Sequence, residues 1–77
     1  MSCPTKYQPA RERVARNVTR WRKERGLSQL SLSKDAGLSR TFLSRVENGV
    51  ETVSLDHLEK LAIALQIDIV ELLKTDN

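Results

Sequence analysis

The 77-residue chain has one cysteine, one histidine and one each of Phe, Trp and Tyr. With Cys3 alone, no internal disulfide can form and no thiolate metal site is available. A lone histidine, His57, makes neither a metal site nor a catalytic dyad. No apolar run approaches membrane-spanning length, and the opening "MSCPTKYQPARERV" lacks the apolar stretch of a secretory signal. There is no Gly-rich phosphate loop, no HExxH and no nucleophile elbow. Strand patterning, internal repeats and low-complexity segments are also missing. These absences argue against an enzyme, against a membrane protein and against any metal or cofactor. The expectation is a cytoplasmic protein with room for one domain and one small core. Residues 1–8 read as a flexible tail and residues 9–77 as that domain. No ligand-binding or cleavage domain is expected after residue 77, so regulation would follow the protein's own concentration.

Charge is plentiful but unevenly placed. Residues 1–45 hold eleven Lys/Arg against three Asp/Glu, a net of +8. Residues 46–77 hold two Lys against seven Asp/Glu, a net of −5. The basic half suits a polyanionic partner, and the acidic half suits a surface turned away from it. The plainer alternative is a charged surface that only meets water.

Punctuation and apolar spacing divide the chain into helices. Gly26, Gly37 and Gly49 each follow a helix-like segment, where a left-handed residue ends a helix. Ser28, Ser39 and Ser54 each precede one, where an N-cap is wanted. The reading is all-α with five helices. The first spans about Pro9 to Arg25, with proline at its first position and a buried stripe of Val14, Val18 and Trp21. The second spans Gln29 to Ala36 and buries Leu32 and Ala36. The third spans Arg40 to Asn48. The fourth begins after Ser54 and buries Leu55, Leu58, Leu61, Ala62 and Leu65. The fifth begins after Asp68 and ends near Lys74.

The C-terminal stretch "LAIALQIDIVELL" is more apolar than one core face requires. Ile63 falls off the buried stripe of its helix, and Ile69, Val70, Leu72 and Leu73 spread over a wide arc. Spare apolar surface on so short a chain predicts self-association. The expected seam of the homodimer is Ile63, Ile67, Ile69, Val70 and Leu73.

The third helix carries the chemistry. On a wheel of ~100° per residue, Leu43 and Val46 share one side, while Arg40, Thr41, Ser44, Arg45 and Asn48 fall within an arc of about 140° on the other. Arginine can donate two hydrogen bonds to the O6/N7 edge of guanine. Hydroxyls and amides reach phosphates or base edges. The second helix, a tight turn at Gly37 and the third helix make a helix–turn–helix pattern, and the third has the shape and polarity to enter a major groove. Phe42 borders both faces and fits either the core or sugar–phosphate. Arg11, Arg13, Arg16, Arg20 and Lys23 form either a solvated face or a flank to the partner.

From about Val14 to Leu73 the chain resembles the lambda-repressor-like (XRE-type) helix–turn–helix family. The segments that carry the likeness are "RKERGLSQ", "KDAGLSRTFLSRVENG" and "LEKLAIALQIDIVELL". The recognition segment looks like those of phage repressors and of small restriction–modification controller proteins, which are bacterial or phage-encoded. The resemblance implies a five-helix fold, a two-fold dimer and a palindromic double-stranded DNA operator. It assigns base contacts to Arg40, Thr41, Ser44 and Arg45, and phosphate contacts to Ser28, Gln29, Ser39 and Asn48. It pairs Arg22 with Glu47 as a structural link from the first helix to the end of the third.

Two positions depart from the family pattern. "VET", Val50 to Thr52, stands where many relatives carry basic residues, which argues against a backbone or minor-groove contact from that loop. Ser33 replaces an alanine inside the second helix, where its hydroxyl can bond back to its own helix. The function expected is a transcriptional regulator: a repressor by blocking polymerase, or an activator that touches RNA polymerase through its acidic half. The rival class is an antitoxin or adaptor that uses the same fold to hold a protein partner.

Overall fold

Three serines start three helices. In the computed structural model, which describes residues 9–75, Ser28 Oγ accepts from the Ser31 amide at 3.0 Å, Ser39 Oγ from Phe42 at 3.0 Å and Ser54 Oγ from His57 at 3.1 Å. His57 answers through Nδ1, which accepts from the Ser54 amide at 3.2 Å and completes a capping box. The elements are α1 (Ala10–Glu24), α2 (Gln29–Ala36), α3 (Arg40–Glu47), α4 (Leu55–Leu65) and a C-terminal 3-10 turn (Ile69–Leu72). Among the described residues there is no strand, and no helix is long and apolar enough to cross a membrane. The tail expected at residues 1–8, with Cys3, lies outside the described residues.

The boundaries follow from local chemistry. Pro9 is the N-cap of α1 rather than its first helical residue. Its carbonyl accepts from the amides of Glu12 and Arg13 at 3.0 and 3.2 Å. Gly37, at φ +70°, ends α2, and the Leu38 amide closes back on the Ser33 carbonyl at 2.8 Å. That left-handed turn lets only three residues separate the end of α2 from the start of α3. The fifth helix is a single 3-10 turn. Asp68 Oδ1 accepts from the Val70 amide at 2.9 Å and starts it, and the extended backbone at Asp68 separates it from α4.

The apolar stripes meet in one cluster: Val14 and Val18 from α1, Leu32 and Ala36 from α2, Leu43 and Val46 from α3, Leu58, Leu61, Ala62 and Leu65 from α4, and Leu72 from the 3-10 turn. α1 packs against α3, α4 and the 3-10 turn, and α2 packs against α3 and α4. Trp21 is half-buried at the edge of this cluster, with the guanidinium groups of Arg20 and Arg25 each 5.2 Å from its ring centroid. Leu55 differs from the sequence expectation: it is 74% exposed. It occupies the first position of α4, which overhangs the core, and the apolar contact there comes from Val53, the residue before the cap. Val53 packs against the cluster that contains Leu58, the arrangement of a hydrophobic staple.

Polar side chains tie remote segments together. Asn17 is buried, and its Nδ2 donates to the carbonyls of Leu72 at 3.0 Å and Lys74 at 2.9 Å. Arg25 Nε donates to the Leu65 carbonyl at 2.8 Å, at the open C-terminal end of α4. Ser33 is buried, and its hydroxyl donates to the Leu30 carbonyl at 2.7 Å, so the alanine-to-serine departure is satisfied within its own helix.

Candidate nucleic-acid interface

α3 divides cleanly. Leu43 and Val46 are 0% and 2% exposed, whereas Arg40, Thr41 and Arg45 are exposed and Ser44 is half-exposed. Arg40, Thr41, Ser44 and Arg45, together with Gln29 at the start of α2, line one surface hollow of about 280 Å³. A hollow edged by two guanidinium groups, two hydroxyls and an amide offers donors to an electron-rich surface and presents no carboxylate in its lining. A second hollow beside it is lined by Ser28, Gln29, Arg40 and Arg22 together with the exposed Leu30, so the surface there is mixed polar and apolar.

An ion pair with a hydrogen-bonded neighbour supports this face from behind. Arg22 forks onto Glu47, with Nε to Oε2 at 2.7 Å and Nη2 to Oε1 at 3.1 Å. Its Nη1 donates to the Leu27 carbonyl at 2.9 Å. The two side chains are only 14% and 6% exposed. Gln29 Nε2 donates to Glu47 Oε1 at 3.0 Å. One carboxylate thus joins the last turn of α1, the first residue of α2 and the last residue of α3. Such geometry ties the end of α3 to both α1 and α2.

The remaining candidates differ in how free they are. Ser28 and Ser39 are exposed, and each already accepts a capping hydrogen bond. Gln29 is half-buried and spends one amide N–H on Glu47, leaving the other N–H and its carbonyl. Asn48 is exposed at the C-cap of α3. It borders a groove of about 480 Å³ against α1, where Arg16, Arg20 and Lys23 also contribute. Arg13 is turned elsewhere, with Nη1 on the Leu73 carbonyl at 3.4 Å. Phe42 is half-buried and its ring lies 4.5 Å from His57 at the start of α4, so it braces α3 against α4. Among the described residues no three His, Cys, Asp or Glu side chains gather to hold a metal ion.

The apolar candidates at the C-terminus separate into two groups. Ile67, Ile69 and Leu73 pack against the core of their own chain. Ile63 and Val70 are 71% and 55% exposed. The excess apolarity read from the sequence is therefore partly absorbed by the 3-10 turn folding back on α1 and α4.

Sequence reasoning missed Glu51. Its Oε1 accepts from Arg45 Nε at 2.7 Å. The only signal was an acidic residue in a loop after a helix rich in donors, and spacing alone does not announce such a contact.

Comparison with known proteins places this geometry. A helix–turn–helix family model, HTH_3, matches residues 18–72. The control protein C.MunI of Mycoplasma sp. is 41% identical over 61 residues, covering 78% of this chain and 82% of that protein. The solved structure of the hypothetical transcription factor NHTF from Neisseria superposes with a TM-score of 0.85 at 34% identity, covering 96% of this chain and 84% of that one. The structure of SinR, a master regulator for biofilm formation, in complex with DNA superposes with a TM-score of 0.76 at 29% identity, covering 79% of this chain and 98% of that one. Some curated relatives are longer, with the matched segment spanning 40%, 53% and 62% of their length. By the extent of the family match and by its all-helical architecture, the chain belongs to the HTH_3, XRE-type helix–turn–helix family.

Proposed function

We propose that the protein is a sequence-specific regulator of transcription that binds double-stranded DNA as a homodimer on a palindromic operator, in the manner of a restriction–modification controller or an autoregulator. The observation that carries this reading is the division of α3: Leu43 and Val46 are sunk in the core while Arg40, Thr41, Ser44 and Arg45 surround one outward hollow. A helix held in this way can put guanidinium groups against base edges without unfolding anything. The likeness to C.MunI, named a control protein, and to SinR, solved with DNA, supports the same reading.

In this reading Arg40 and Arg45 donate to base edges, Thr41 and Ser44 to bases or the sugar–phosphate, and the exposed ends of α2 and α3 meet phosphates. Two α3 helices would enter successive major grooves, with half-sites about one helical turn apart. Arg22 and Glu47 act through position and not through contact.

Selection from random duplexes, followed by titration of the recovered site, tests the proposal. Arg40→Ala is expected to weaken binding by ~1–3 kcal/mol and to relax preference at one base pair per half-site. Affinity should fall with salt at a log–log slope of roughly 0.9 per phosphate neutralised. An unaltered sequence preference in the Arg40→Ala protein would remove Arg40 from base readout. Failure to enrich any motif would favour the antitoxin or adaptor reading.

The dimer seam would centre on Ile63 and Val70, the two predicted seam residues that remain outward. Val70→Lys is expected to shift the protein to monomer with its helical signal intact, because no core contact is lost. Light scattering that finds the Val70→Lys protein still dimeric would move the seam away from the 3-10 turn. Leu73 is the poorer probe, since a charge there would also strain the core against which it packs.

A further inference from the structure

The loop after α3 carries "VET", and its one carboxylate is turned onto the reading face. Glu51 Oε1 accepts from Arg45 Nε at 2.7 Å, and Arg45 Nη1 and Nη2 bond to no described residue. The two side chains are 26% and 57% exposed, so the pair lies at the surface; Arg45 lines the hollow, and Glu51 holds it from outside that lining. The backbone fixes the approach. Gly49 sits at φ +74°, its amide donates to the Val46 carbonyl at 3.0 Å, and the Val50 amide donates to the carbonyl of Arg45 itself at 3.2 Å. The loop that bears Glu51 is thereby fastened to the turn of helix that bears Arg45.

We infer that Glu51 is a specificity-determining positioning residue: by holding Arg45 at Nε, it aims the free Nη edge of the guanidinium at a base pair. This rests on the reading of α3 as the base-reading helix. A guanidinium has five N–H donors in a rigid plane. Engaging Nε–H leaves the terminal donors to form a parallel pair of hydrogen bonds, as to guanine O6 and N7. An unheld arginine would have to give up its rotamer freedom on binding and could swing to the nearest phosphate instead. The carboxylate opposes that swing in a second way, because a negative charge beside the backbone weakens sequence-independent attraction. Both effects widen the gap between right and wrong sequences. The acidic residue of this loop then has a purpose without touching DNA at all.

The pair is too exposed to matter much to the fold, so substitutions here report on binding. Random-duplex selection and operator titration are run on the full chain, on Arg45→Ala, Glu51→Ala and Glu51→Gln, and on the Arg45→Ala/Glu51→Ala double variant. Arg45→Ala is expected to relax one base pair. Glu51→Ala should relax that same pair by about threefold or more, a part of the ~10-fold or greater discrimination a bidentate arginine–guanine contact supplies. It should also tighten binding to random duplex. Glu51→Gln keeps an acceptor for Nε while losing the charge, so it should largely restore the preference yet still bind random duplex more tightly. In the double variant the loss of Glu51 should add nothing to preference at that pair. The inference is overturned if Glu51→Ala leaves that preference intact, relaxes a different pair, or still acts on it when Arg45 is absent. If the unmodified chain enriches no motif, the functional reading itself fails. If it enriches one that ignores Glu51, only this inference does.

Discussion

Glu47→Ala is expected to destabilise the domain by roughly 2–4 kcal/mol and to lower its melting temperature by about 10–25 °C. The carboxylate is 6% exposed and accepts three hydrogen bonds, two from Arg22 and one from Gln29. Removing it strands a guanidinium whose side chain is only 14% exposed. The cost is mainly that of an uncompensated charge held out of water, and it falls below the fully buried case because some water still reaches Arg22. A chain of this size has a total stability of only about 4–12 kcal/mol, so the loss is a large share of it. Glu47→Gln keeps the shape and part of the hydrogen bonding and should lose less. Urea unfolding at fixed protein concentration checks both variants. A Glu47→Ala loss below about 0.5 kcal/mol would mean that Arg22 finds water or another acceptor, and that the pair does not lock α3.

The same variant also bears on DNA binding. If Glu47 sets how α3 stands out from α1 and α2, loosening it should weaken binding by a similar factor across sequences, at temperatures where the protein is still folded. Arg40→Ala should instead act at one base pair. Uniform loss and local loss are distinguishable in a single selection experiment, which separates a residue that supports the reading helix from one that reads.

What could be read from the sequence was what repeats locally. Apolar residues three and four apart put Val14, Val18, Leu32, Ala36, Leu43, Val46, Leu58, Leu61 and Leu65 on buried faces, and all are buried. Serine marked the starts of α2, α3 and α4 and glycine the ends of α1, α2 and α3 to within a residue or so, because capping is a contact between near neighbours in the chain; the end of α4, at a left-handed Gln66, carried no such mark. The outward set on α3 followed from the same wheel. What could not be read was long-range and polar. Asn17 meets Leu72 and Lys74 more than fifty residues on, and Arg25 meets Leu65 forty residues on. Neither leaves a periodic trace. Leu55 misled because a residue in the first turn obeys the helix period while overhanging the core it would fill. The last helix misled in a milder way. "IVEL" satisfies both an α-helical and a 3-10 reading, and four residues are too few for period to decide.

That short element leads to the other large effect. Leu72→Ala is expected to cost about 2–5 kcal/mol, the range for emptying a leucine site in a packed core. Leu72 is 0% exposed although it belongs to the last described element of the chain. A single 3-10 turn has too few hydrogen bonds of its own to persist in water. It is held by this side chain from below, and from the side by Asn17 on the Leu72 and Lys74 carbonyls. If the turn is an integral part of the core, the urea midpoint should drop while the slope of the transition stays the same, because one cooperative unit still unfolds. Val70 is carried on the same turn, so the Leu72→Ala protein should also dissociate at higher concentration than the unmodified chain, if Val70 lies in the dimer seam. The contrary result would be a stability loss of less than about 1 kcal/mol with a shallower slope. That pattern would describe a C-terminal segment that peels away on its own, leaving α1 to α4 to make the stable core. The turn would then be an appendage of that core, with no structural part in holding α1 against α4.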